Sequence, residues 1–146
     1  MNALVMIARI LLGLIFTVFG LDYFLHFMPE LPVSEAGGKF LEAIFSTGYL
    51  FPAIKVIETG AGLLLLSGFA TPLALALLAP IVTNIALYHF FLDPNGIVLA
   101  TAVVILEVGL VWAYRDSYKG LFEARRQGRE AFPVVSAPTR AELGSS

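Results

Sequence analysis

The chain contains a long stretch without a single formal charge. No Asp, Glu, Lys or Arg occurs from Thr59 to Leu92, a run of 34 residues. A helix of about 20 apolar residues crosses a bilayer core of about 30 Å, so this run is too long for one span. Gly68 and Pro72 in its middle are typical of a helix end followed by a helix start. Because Leu, Ala, Ile and Val occupy every face of both halves, the stretch predicts a transmembrane hairpin.

Two further apolar segments bring the number of predicted spans to four. We expect transmembrane helices at about residues 3–27, 52–68, 72–91 and 97–114. The composition agrees, because 14 % of the residues are charged and the mean hydropathy is +0.85, whereas about 25 % are charged in soluble domains. The predicted fold class is all-α, a polytopic membrane four-helix bundle over residues 1–114 followed by a charged tail over residues 115–146. The absence of cysteine excludes disulfides and thiol redox chemistry.

A polar connection over residues 28–51 separates the first two spans. Ser34 is a suitable N-cap for a new helix. Four large apolar residues then recur at helical spacing: Phe40, Leu41, Ile44 and Phe45. The pattern predicts a short amphipathic helix between helices 1 and 2, which lies in the membrane interface or simply shields the end of the bundle.

The basic residues are concentrated near the carboxyl end. Six of the nine Lys and Arg residues follow Tyr114. By the positive-inside rule the tail is cytoplasmic, and four spans return the amino terminus to the same side. We therefore expect a multi-pass protein of the inner (plasma) membrane with both termini cytoplasmic and the amphipathic helix outside. Disorder is expected after Pro133.

Arg9 and Glu107 are ionisable residues inside predicted spans. At 1.5 Å per residue, each lies roughly 9–10 Å from the cytoplasmic end of its helix. Ionisable side chains at such depth are costly and usually pair with one another. We therefore predict an intramembrane ion pair between Arg9 and Glu107.

A second polar set falls in the half of the bundle beneath the amphipathic helix. It comprises Asp22, His26, Lys55, Glu58, Asn84 and His89. Lys55 and Glu58 are three residues apart on one helix and therefore share a face. The set has two interpretations, interhelical hydrogen bonds that hold the bundle together or a polar pocket that binds a ligand. Two histidines do not make a metal site, since His26 and His89 could bind a metal only if Asp22 or Glu58 joined them. No catalytic residue is assigned.

Small residues recur along three of the predicted helices. They are Gly13, Thr17 and Gly20 on helix 1, Gly60 and Gly62 on helix 2, and Gly109 with Ala113 on helix 4. Such strips let helices approach closely, so we expect them to serve helix packing rather than ligand binding.

Several of these residues together resemble the DoxX family. The matching residues are Arg9-x3-Gly13-x2-Phe16-x3-Gly20, the run from Glu58 to Gly68, and Thr71-Pro72. The resemblance covers roughly Val5 to Trp112. It implies a small four-helix inner-membrane protein, in a family named for a subunit associated with thiosulfate:quinone oxidoreductase. Some relatives are linked to redox complexes or to the assembly of other membrane proteins.

Two functions follow from these expectations. The first is an accessory subunit of a membrane redox complex that contacts a quinone, because quinone carbonyls need a few hydrogen-bond donors in an apolar slot. The alternative is a non-catalytic scaffold or assembly factor for other membrane proteins. A solute carrier is less well supported, since four short spans show no internal repeat. We expect lipid and other membrane subunits as partners, no nucleic acid, and no independent catalytic activity.

Overall fold

The computed structural model describes residues 2–120, which form helices and turns without a strand. The helices are α1 (Ala3–Leu25), α2 (Glu35–Ser46), α3 (Leu50–Ser67), α4 (Thr71–Phe91) and α5 (Ile97–Ala113), with a 3-10 turn at Pro94–Gly96. Four of them are long and apolar enough to cross a membrane: α1, α3, α4, and α5 together with its 3-10 turn. The predicted all-α bundle, with a short helix between the first two spans, is confirmed.

The chain divides into two compact units, Met1–Arg115 and Asp116–Ser146. The first unit holds all of the helices named above. In the second, residues 116–120 are described; they are helical, and Lys119 forms an ion pair with Asp116 at 2.5 Å. Most of the predicted tail, including the disorder expected after Pro133, lies outside the described residues.

The charge-free stretch forms the predicted hairpin of α3 and α4. Gly68 closes α3 with φ 74°, a left-handed conformation that glycine adopts without strain, and its N–H donates to the carbonyls of Leu64 and Leu65. α4 begins at Thr71, and Pro72 lies in its first turn, where a missing N–H leaves no hydrogen bond unmade. We call this end of the bundle the Gly68 side.

The two other connections meet at the opposite end of the bundle, which we call the α2 side. The backbone N–H of Ser34, just before α2, donates to Oδ1 of Asp93 at 3.2 Å, and the Ser34 hydroxyl donates to the carbonyl of Leu92 at 2.5 Å. Since Leu92 and Asp93 follow α4, these bonds place the α1–α3 connection beside the α4–α5 connection.

The core is built from aliphatic side chains of the four long helices. Its fully buried members include Leu12, Leu65, Leu75, Leu78 and Leu110. The outward faces are also apolar, since Val98 is 81 % exposed and Trp112 is 69 % exposed. A soluble bundle would carry polar residues there. These faces and the four candidate spans identify a membrane protein.

Close packing of α1 against α3 depends on small residues. A methyl group at Gly62 would lie 2.5 Å from Oγ1 and 2.7 Å from the backbone N of Thr17, and one at Gly13 would lie 3.0 Å from the carbonyl oxygen of Gly62. Gly20 lies equally close to Thr59. The strip predicted on helix 1 therefore has a packing role, because a side chain at these positions would push the helices apart.

Two of the predicted small positions do not take part in such packing. A methyl group at Gly60 or Gly109 would meet nothing within 4 Å in the described part of the chain. Gly60 lies only two residues from Gly62, but on another face of α3. The spacing of small residues in the sequence did not show that Gly62 packs against α1 and that Gly60 does not.

We expect Gly62→Ala to destabilise the bundle, while Gly60→Ala does not. Overpacking costs about 1–3 kcal/mol, whereas alanine in an open helical position gains up to about 1 kcal/mol over glycine. Unfolding midpoints in detergent would measure both variants. Equal midpoints would show that the α1–α3 contact is not limited by space at Gly62.

Candidate functional site

A cavity of about 440 Å³ lies inside the bundle beneath α2. All five helices contribute to its lining. Its walls are mostly aromatic and aliphatic, including Phe19, Phe40, Ile44, Phe51, Ile85 and Leu99. Apolar walls with a few polar groups are typical of small-molecule sites, so this cavity is the candidate site.

The helix α2 covers the cavity through aromatic contacts. The ring of Phe40 lies 5.6 Å from the ring of Tyr88 on α4, and that of Phe45 lies 4.2 Å from that of Phe51 on α3 (centroid to centroid). The opposite face of α2 is polar, with an exposed ion pair between Lys39 and Glu35 at 2.7 Å. The predicted amphipathic helix therefore packs its apolar face on the bundle.

Four of the six predicted polar residues line this cavity. They are Lys55, Glu58, Asn84 and His89. Nζ of Lys55 lies 2.8 Å from Oε2 of Glu58, and both side chains are largely buried, at 17 % and 5 % exposed. The ammonium also lies 5.3 Å from the centre of the Phe51 ring, a favourable cation–π distance. The two residues, expected from their spacing to share a face of α3, form an ion pair there.

Asn84 and His89 differ in the hydrogen-bonding capacity they leave free. The Asn84 amide makes no hydrogen bond to any residue among those described. Nδ1 of His89 lies 2.8 Å from the carbonyl oxygen of Asp93. Because a carbonyl only accepts, Nδ1 carries the proton in this contact. Asn84 is thus the cavity residue whose donors and acceptor are most open to a ligand.

Asp22 and His26, predicted as part of the same set, do not line the cavity. Oδ1 of Asp22 accepts the backbone N–H groups of Phe27 (3.1 Å) and Met28 (2.7 Å). His26 ends α1 in the left-handed conformation (φ 50°) and is exposed. The two residues lie at the carboxyl end of α1, where the Asp22 carboxylate accepts the N–H groups of the two residues that follow His26.

Hydrogen bonds among Ser34, Asp93 and Asn95, which we call the Asp93 latch, hold the start of α2. The sequence did not predict them. Asp93 is buried, and its carboxylate accepts from the Ser34 N–H and, at 2.9 Å, from the side-chain amide of Asn95. The Ser34 hydroxyl in turn accepts the N–H of Gly37 at 3.1 Å, as the predicted N-cap should. The available signal was that Asp93 is the first charge after the charge-free stretch.

Gly37 brings the backbone of α2 directly onto Tyr88. A methyl group at Gly37 would lie 2.6 Å from the Tyr88 hydroxyl oxygen and 2.9 Å from Cβ of Asp93. That hydroxyl is buried and has no hydrogen-bond partner in the part of the chain that the structure describes. Tyr88 therefore presents its ring to the cavity, while its hydroxyl lies under the first turn of α2.

The predicted ion pair between Arg9 and Glu107 is not formed. Nε of Arg9 and both carboxylate oxygens of Glu107 are buried without a hydrogen-bond partner, and the described residues contain no ion pair between the two. The Arg9 guanidinium lies against Gly68, beside the carboxyl end of α3 where the helix dipole favours a cation. A similar depth in the membrane was not sufficient to predict the ion pair, because the two side chains must also point toward each other.

No metal site emerges from residues 2–120, since no three His, Asp or Glu side chains there are arranged to hold an ion. Comparison of the whole chain with protein-family models, with curated proteins and with solved structures finds no match. The resemblance to the DoxX family therefore stays a prediction.

We expect Gly37→Ala to lift α2 from the bundle, while Gly38→Ala leaves it in place. Gly38 is the matched control because a methyl group there would meet nothing within 4 Å. The chain has no cysteine, so an Ile44→Cys substitution supplies a single reporter on the cavity-facing side of α2. Maleimide labelling of this cysteine should accelerate about tenfold in Gly37→Ala if overpacking costs α2 closure about 1.4 kcal/mol. Equal labelling rates in both variants would contradict close seating of α2.

Proposed function

We propose that this chain is a small integral membrane protein of the DoxX type, which serves as an accessory subunit of a membrane redox complex and holds a quinone in the cavity beneath α2. The observation that supports the proposal best is the cavity itself, apolar over most of its wall and supplied with unengaged hydrogen-bond donors. Its volume of about 440 Å³ falls within the range of about 300–1,000 Å³ typical of ligand pockets.

The donors available to a ligand come from α3 and α4. The Asn84 side-chain amide has no partner among the described residues and offers two N–H groups. The Lys55 ammonium uses one N–H on Glu58 and lines the same cavity. A quinone carbonyl only accepts hydrogen bonds, so either group suits it. The aromatic walls suit its flat ring.

The charge of the site favours a neutral ligand. Lys55 and Glu58 neutralise each other at 2.8 Å, so the pair adds no net charge to the cavity. An anionic or cationic ligand would be desolvated there without a free counter-charge, which is costly. A neutral, lipid-soluble acceptor such as a quinone avoids that penalty.

The topology belongs to the same proposal. The basic residues after Tyr114 favour a cytoplasmic tail, and an even number of spans returns the amino terminus to that side. In this arrangement the Gly68 side is cytoplasmic and the α2 side faces outward in an inner (plasma) membrane. The quinone cavity then opens near the outer leaflet.

We expect the purified protein to bind decylubiquinone. The Asn84→Leu and Lys55→Met variants should each bind it about tenfold more weakly, because each loses one hydrogen bond worth about 1.4 kcal/mol. Thr83→Val is the matched control, because Thr83 is the next residue on α4 but does not line the cavity. Binding would be followed by quenching of intrinsic fluorescence in mild detergent. Failure of the unmodified protein to bind would overturn the quinone assignment.

The Glu58→Gln variant distinguishes a binding site from structural interhelical bonding. If Glu58 mainly holds the bundle together, the change lowers the unfolding midpoint, because the amide loses the charge interaction with Lys55. If the pair serves the site, folding is retained and quinone binding falls. Mass spectrometry of the proteins and small molecules retained by the unmodified chain completes the comparison. A retained protein partner without a quinone would favour the scaffold or assembly factor instead.

The orientation is tested with single cysteines in the cysteine-free chain. Glu35→Cys on α2 should react with a membrane-impermeant maleimide from outside intact cells. Phe69→Cys in the hairpin turn and Gly128→Cys in the tail should react only after the membrane is opened. Labelling of Gly128→Cys from outside would reverse the proposed orientation.

A further inference from the structure

Apart from the cavity beneath α2, the bundle has a groove between α4 and α5. The groove encloses about 550 Å³ and shares no lining residue with the cavity beneath α2. Valines of α5 form one wall: Val104, Val108 and Val111. Trp112 and Arg115 lie toward the carboxyl end of α5. The proposed quinone site makes no use of this surface.

The other wall of the groove is formed by residues of α4, three of which are small. Ala79, Thr83 and Ala86 lie at helical spacing along it. The Thr83 hydroxyl already donates to the carbonyl of Ala79 at 2.8 Å, so this wall presents no unmet polar group. Stripes of this kind allow another transmembrane helix to approach the backbone closely.

Glu107 gives the groove a chemical preference. It is one of the lining residues, it is 4 % exposed, and neither carboxylate oxygen has a hydrogen-bond partner within residues 2–120. An unpaired carboxylate within a membrane span is costly to the free chain, and such residues usually mark an interaction.

None of the four Lys and Arg side chains of the first unit pairs with Glu107. Lys39 pairs with Glu35, Lys55 pairs with Glu58, and the Arg9 guanidinium lies against Gly68. Arg115, in the groove itself, donates to the Trp112 carbonyl at 3.0 Å and stacks on the Trp112 ring at 4.7 Å. Among the described residues, therefore, none supplies the counter-charge of Glu107.

We propose that the α4–α5 groove docks a transmembrane helix of another protein, and that this helix carries a basic side chain at the depth of Glu107. The helix packs against Ala79, Thr83 and Ala86 of α4. The Lys or Arg side chain of the docked helix pairs with the Glu107 carboxylate. Both oxygens of Glu107 are covered in the free chain, so docking turns the side chain toward the groove.

A partner of different sequence fits better than a second copy of this chain. Two copies joined face to face through the groove would oppose Glu107 with another Glu107, and like charges repel. A lipid tail fills the groove but leaves the carboxylate unpaired. The amine of a lipid headgroup lies at the membrane surface, whereas Glu107 is roughly 10 Å inside the helix end.

The proposal is tested with designed single-span helices as probes. A Leu/Ala helix of about 22 residues spans a bilayer, and three versions carry Lys, Leu or Glu at the depth of Glu107. A fluorophore on an Ile105→Cys variant in nanodiscs reports the approach of each probe by energy transfer, because Ile105 is exposed on α5 but does not line the groove. The Lys helix should bind about tenfold more tightly than the Leu helix, as one intramembrane polar contact of about 1–2 kcal/mol implies.

Variants of the groove separate its charge from its shape. Glu107→Leu should abolish the preference for Lys while raising the unfolding midpoint of the free chain, because an unpaired carboxylate is removed. Ala86→Phe should block all three probes by filling the groove. Thr101→Val, on α5 but outside the groove, should change nothing. If Glu107→Leu fails to fold, Ala86→Phe and the comparison of the Lys and Leu probes still test the proposal.

Two outcomes would overturn the inference. Equal binding of the Lys and Leu helices would remove the role of Glu107. Formation of a disulfide-linked dimer through Val108→Cys, in bilayers without a probe, would identify a second copy as the occupant. Neither outcome depends on quinone binding, so failure here is distinguishable from failure of the proposed quinone site.

Discussion

Lipid offers no hydrogen bonds to a polypeptide, and this constraint governs the whole molecule. Each of the four long segments must satisfy its own backbone, which requires helices. Polar side chains within them follow the same rule. The hydroxyls of Thr59, Thr83 and Thr101 each donate to the carbonyl four residues earlier, at 2.8, 2.8 and 2.7 Å. Such residues cost little in an apolar environment, because no partner on another helix is needed.

Charged side chains need a partner of opposite charge, and the two ends of the bundle differ in whether they provide one. On the α2 side, Lys55 and Glu58 form a closed pair within one helix, which leaves a neutral cavity beside them. In the half nearer Gly68, Glu107 is buried, Arg9 is half-buried, and the two do not form an ion pair. The first arrangement suits the capture of a neutral small molecule. The second leaves the carboxylate without a counter-charge among residues 2–120, which is the basis of the proposed helix partner.

The Asp93 latch links these helices to the cover of the cavity. Asp93 is buried at the α4–α5 corner and accepts the N–H of Ser34, which in turn caps α2. Phe40 and Ile44 of α2 line the cavity, so the position of this part of the cavity wall depends on the hydrogen bonds at Ser34. Gly37 completes the arrangement, since only a residue without a side chain allows α2 to lie on Tyr88.

The sequence by itself determined the features that depend on local periodicity. The absence of charge from Thr59 to Leu92 specified a hairpin, the apolar spacing specified α2, and the separation of three residues specified the Lys55–Glu58 pair. Depth along a helix also follows from sequence, because each residue adds a fixed rise. Rotation about the helix axis relative to a neighbour does not. It is set by how the helices pack, and the tertiary structure alone decided that Arg9 faces Gly68, that Glu107 borders the α4–α5 groove, and that Ser34 reaches Asp93 across 59 residues of chain.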